Sequence, residues 1–115
     1  MTRLKMAAAA LAVMTAAADA QTPVDRWIAA CSNRASEPDQ SACRAYARGV
    51  ADSIILMRKT NPQQVNICIP EGLSEKDLVE LTLPFVQGQT PTSPPLPAAN
   101  QLVNALAAGF PCVKR

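Results

Sequence analysis

Apolar residues recur along the chain at steps of three and four, separated by short polar stretches, and no segment shows the two-residue alternation of a half-buried strand. The pattern predicts four helices. The first is short: Thr22 is placed to cap it, Pro23 suits its first position, and Val24–Cys31 follows with Trp27 and Ile28 apolar. Ser32–Asp39 is polar, contains Pro38 and reads as a loop. The second helix runs from Asp39 or Gln40 to Lys59, with Cys43, Tyr46, Ala47, Val50, Ile54 and Met57 on one face. Gly49 inside it costs about 1 kcal/mol against alanine, which points to close approach of a neighbouring element.

The third helix has the clearest start. Ser74 caps it, Glu75 and Asp77 place negative charge on the first turn, and Asp77 holds the capping-box position. Leu73 and Leu78 have the spacing of a hydrophobic staple. Pro84 is expected to end or kink this helix near Leu83, with Phe85 and Val86 placed to continue its apolar face as the alternative, and the proline-rich segment 87–97 is expected to be extended. The fourth helix spans Pro97 to Gly109, with Leu102, Val103, Leu106, Gly109 and Phe110 as its buried stripe and Pro111 as its stop. The fold class is therefore all-α, a small four-helix domain.

The first twenty residues have a different character. Arg3 and Lys5 open the chain, Met6–Ala18 is apolar except for Thr15, and Ala18-Asp19-Ala20 places small residues where a signal peptidase reads them. Thirteen residues are too few to cross a bilayer, which takes about 20. Residues 1–20 read as a secretory signal cleaved between Ala20 and Gln21, and residues 21–115 as the exported domain. No cysteine stands at the cleavage point, so no lipid anchor is indicated. The implied location is the periplasm, without a stable membrane anchor once the signal is removed.

Composition narrows the chemistry. The chain has 115 residues and no histidine, so Ser-His and Cys-His nucleophile pairs and histidine-ligated metals are excluded. Beyond residue 20 the charge is nearly balanced and no basic run exceeds Arg58-Lys59, which gives nucleic acid no footprint. No cofactor motif is present. Cys31, Cys43, Cys68 and Cys112 all lie in the exported part, and an oxidising compartment makes two disulfides the default over a metal site. Three pairings are open. Cys31 ends the first helix and Cys43 begins the second, whereas Cys68 precedes the third and Cys112 follows the fourth. Antiparallel packing of the last two helices therefore selects Cys31–Cys43 and Cys68–Cys112.

Three short motifs carry a family resemblance. Cys43-x-x-Tyr46-x-x-Gly49-x-x-Asp52 on the second helix, Cys68-Ile69-Pro70-Glu71-Gly72 before the third, and Phe110-Pro111-Cys112 after the fourth resemble, in order and spacing, the Rap/Tai family. Those are periplasmic immunity proteins of type VI secretion systems. The resemblance spans Trp27 to Cys112. It implies an HdeA-like helical domain held by disulfides, often a homodimer, that neutralises a secreted cell-wall amidase by stoichiometric binding. A second reading of the same fold is an acid-stress chaperone of HdeA type; the small supply of carboxylates in the exported part speaks against it.

Each notable residue has a structural and a functional reading. Tyr46, Gly49 and Asp52, three apart on one helix, read first as core packing with a hydrogen-bonded aspartate, and Pro70 and Pro111 as structural motif residues. Glu75, Asp77 and Glu80 read as helix-start electrostatics ahead of acid/base chemistry, and no catalytic site is indicated. Arg44 and Arg48 form a basic helix edge, and Pro91, Pro94 and Pro95 stiffen the long loop. These five residues are the candidate surface for a protein partner, since a pre-ordered segment loses less entropy on binding.

Overall fold

A computed structural model describes residues 22–113. The expected signal segment, residues 1–20, and the expected Ala20–Gln21 cleavage point lie outside the described residues. Four helices follow in order: α1 (Val24–Ala30), α2 (Glu37–Thr60), α3 (Glu75–Gln87) and α4 (Ala98–Gly109). Among the described residues there is no strand, only isolated bridges of Pro23 with Pro97 and of Ile67 with Pro111. Each helix packs against the other three.

The core is one cluster. Trp27 of α1, Ile54 of α2, Leu78 of α3 and Leu102 and Leu106 of α4 are its large buried side chains, and Ala47, Ala51, Ala98 and Ala105 fill in between them. Both disulfides form as the helix ends require: Cys31–Cys43 with Cα atoms 5.2 Å apart, and Cys68–Cys112 with 5.0 Å. The second is reinforced by the Cys68 N–H, which donates to the Phe110 carbonyl at 2.7 Å. Ser74 and Asp77 close the capping box of α3, with the Asp77 N–H donating to Ser74 Oγ at 3.0 Å.

Several local expectations are corrected. α2 begins at Glu37, capped by Ser36, because Pro38 falls in the first turn where a missing N–H costs nothing. Thr22 does not cap α1; Pro23 is its N-cap residue, and the Thr22 carbonyl instead accepts from the Ala98 N–H at 2.8 Å. Pro84 does not end α3, which runs on to Gln87 because Val86 is buried beyond the proline. Gly49 is exposed and no neighbour lies where its Cβ would be, so it answers no close approach. Met57, Val103 and Gly109 also face outward; the buried faces are Cys43, Ala47, Ala51 and Ile54 on α2, and Ala98, Gln101, Leu102, Ala105 and Leu106 on α4.

Candidate partner-binding surface

The two arginines of the predicted basic edge have different surroundings. Arg48 is three-tenths exposed, stands 3.5 Å from Asp52 Oδ1, and donates from its other terminal nitrogen to the Leu73 carbonyl. It braces α2 against the segment that enters α3. Arg44 stands 3.5 Å from the exposed Glu37 carboxylate and lines a cleft with Gln40, Lys76 and Glu80. Arg44 thus remains a surface cation, whereas the structure gives Arg48 to the frame.

The long loop is anchored before it reaches α4. The Val24 N–H donates to the Leu96 carbonyl at 2.8 Å, which with the Ala98–Thr22 bond fastens the loop to the start of α1. Pro91 and Pro95 line a cavity of about 280 Å³ together with Val24, Ile28, Val86 and Gln101. Pro94 is exposed outside that lining, and its carbonyl accepts from Thr92 Oγ1 at 3.0 Å. The loop and Arg44 do not share a cavity. Val24, Ile28 and Val86 line the one at the loop, and Cys31, Val79 and Glu80 line the other, so the two lie toward opposite ends of α1 and α3.

A family model for Rap1a immunity proteins matches residues 23–112. The chain belongs to the Rap1a immunity protein family. No curated protein sequence and no solved structure matches it. Membership points to an immunity function, in which the protein binds a protein effector as an inhibitor rather than acting as an enzyme.

The residues that carried the resemblance sit on this Rap1a frame as follows. Tyr46 is half-buried, and its phenol oxygen accepts from the Ala99 N–H at 3.1 Å. α4 has no side-chain cap of its own, so its first N–H groups are satisfied from a distance, by Thr22 and by Tyr46. Asp52 and Gly49 are exposed, not packed in the core; among the described residues the Asp52 carboxylate pairs with Arg48. Pro111 forms the bridge with Ile67 beside the Cys68–Cys112 bond, and Pro70 is exposed next to it. Asp77 closes the cap of α3, and Glu80 stands 3.8 Å from Lys76.

One site residue escaped sequence reasoning. Gln101 lies in the apolar stripe of α4, is 8% exposed, and its buried Oε1 has no hydrogen-bond partner among the described residues. The signal was present: a polar amide one position before Leu102, on the face that holds Ala98 and Ala105.

Proposed function

We propose that this protein is an exported periplasmic immunity protein that neutralises a cell-wall amidase delivered by a type VI secretion system, by stoichiometric binding without turnover. The family match over residues 23–112 carries this reading. The N-terminal signal pattern and the two disulfides support export, since such bonds persist in an oxidising compartment. No described helix is long and apolar enough to cross a membrane. Binding uses Arg44 at one end of α1 and the Pro91–Pro95 loop at the other, both held on a cross-linked frame that loses little entropy on association. The working unit is a homodimer, for which the exposed Leu56, Met57 and Leu81 supply apolar surface.

The test is to purify the chain from Gln21, mix it with the amidases encoded by its own strain, and measure binding and residual activity. Tight binding with loss of amidase activity is expected. If no amidase binds, while the protein suppresses aggregation of unrelated clients at acid pH, the chaperone reading replaces this one. Light scattering of the free protein checks the dimer.

A further inference from the structure

The Thr22 carbonyl accepts from the Ala98 N–H at 2.8 Å, and this bond serves the start of α4, which has no side-chain cap. Beside it Pro23 bridges to Pro97, and the Val24 N–H donates to the Leu96 carbonyl at 2.8 Å. Consecutive residues Thr22, Pro23 and Val24 therefore lace the start of α1 to the start of α4. Removal of the expected signal leaves one residue, Gln21, ahead of this lacing. Loss of that residue as well would move the charged α-amine onto Thr22, whose carbonyl caps the positive end of α4. The fate of residue 21 thus decides what charge the exported chain presents where its two helix starts are joined.

We propose that the exported protein carries pyroglutamate at residue 21, a lactam closed from Gln21 once the signal has been cut away. The inference rests on the reading of residues 1–20 as a cleaved signal, and it names what becomes of the new terminus. The step needs no co-reactant. The α-nitrogen attacks the side-chain Cδ, the new N–Cδ bond closes a five-membered ring, and the Cδ–Nε2 bond breaks. The side-chain nitrogen leaves as ammonia, with the proton that the amine gives up. Glutamine suits this closure because its amide carbon lies at five-membered reach of its own α-nitrogen, whereas asparagine would have to close a four-membered ring. Only the unprotonated amine attacks; a free α-amino group titrates at about 7.7–8.0, so roughly a tenth of it is available near neutral pH. The frame does not oppose the step, because the bond to α4 is made by the Thr22 carbonyl, one residue on, and closure leaves the peptide bond between Gln21 and Thr22 intact. The lactam removes the positive charge at this end and denies an aminopeptidase the free amine it needs, so the lacing of α1 to α4 keeps its first residue.

The test uses the full chain expressed with residues 1–20 and freshly extracted from the periplasm. An amine-reactive reagent is applied first, so that any free α-amine is fixed before it can cyclise in the tube. The protein is then unfolded, reduced and digested with trypsin, which releases the peptide Gln21–Arg26, and mass spectrometry reads that peptide. It contains no lysine, so a label on it reports the α-amine alone. The expected peptide is unlabelled and lighter by one ammonia than its amino acids require. Gln21→Ala keeps Ala18-Asp19-Ala20 and removes the side-chain amide, so the corresponding peptide of that variant should carry the label. A labelled Gln21–Arg26 peptide from the parent overturns the lactam and keeps the export reading. An unlabelled terminus in the Gln21→Ala variant would show a block of another kind and overturns the lactam too. A chain that retains residues 1–20 overturns the signal reading, and the lactam falls with it.

Discussion

The indole of Trp27 donates its Nε1–H to the main-chain carbonyl of Cys43, 3.2 Å away, so the one tryptophan both fills the core and grips the half-cystine that joins α1 to α2. Trp27→Phe loses the hydrogen bond and part of the ring volume, and should cost about 2 kcal/mol. Trp27→Ala should cost about 3–5 kcal/mol. Urea unfolding followed by circular dichroism checks both, as a lower midpoint at unchanged slope.

The two disulfides close chain segments of different length, 12 and 44 residues apart in sequence. In the chain-entropy picture they stabilise by about 3 and about 4 kcal/mol, so replacing Cys68 and Cys112 by alanine should be the more damaging by about 1 kcal/mol. Calorimetric melting of the two double variants decides the order. A larger loss from the Cys31–Cys43 pair would show that its hold on Trp27 outweighs loop length.

Features set by local chemistry were legible in the sequence. The capping box at Ser74 and Asp77, the four helices and both disulfide pairings follow from short-range signals and from where helix ends meet. The buried faces were less legible, because Ala51, Ala98 and Ala105 carry the core with little hydrophobic weight, while Met57 and Val103 carry that weight outward. Pro84 left two outcomes open, because its effect depends on whether burial beyond it holds the last turn, which Val86 does. Arg48 and Tyr46 act across 25 and 53 residues of sequence, a reach that no local pattern reports.

Glycine positions divide sharply. Gly49 lies mid-helix, exposed, with open space around a would-be Cβ, so Gly49→Ala should stabilise by about 1 kcal/mol. Gly72 has φ +89°, a region that L side chains rarely adopt, so Gly72→Ala should destabilise by about 1 kcal/mol although space is free there too. Melting temperatures moving in opposite directions are the expected result.

Arg48 and Arg44 separate in the same way. Arg48→Met removes the brace to Leu73 and the pair with Asp52, and should cost about 1–2 kcal/mol. Arg44→Met loses only a contact to an exposed Glu37 and should change stability by under about 0.5 kcal/mol. Thermal denaturation of the two single variants distinguishes them, and equal losses would contradict the different surroundings assigned to each.

That separation determines how the partner surface is to be probed. A charge reversal at Arg48 mixes lost stability with lost binding, so Arg44→Glu is the informative variant at that end of α1. At the other end, Pro91 and Pro95 wall the cavity while Leu96 and Pro97 hold the loop to Thr22–Val24. Deleting residues 91–93 therefore shortens the presented segment without cutting its anchor. If the proposed amidase docks across both ends, each variant should weaken binding by at least about tenfold, the scale of one interface anchor, chiefly through faster dissociation. Their melting temperatures should stay near that of the parent. Surface plasmon resonance on the immobilised amidase reads the dissociation rate directly. Loss confined to the loop deletion would place the contact at the cavity alone, and unchanged binding in both would remove this face as the docking surface.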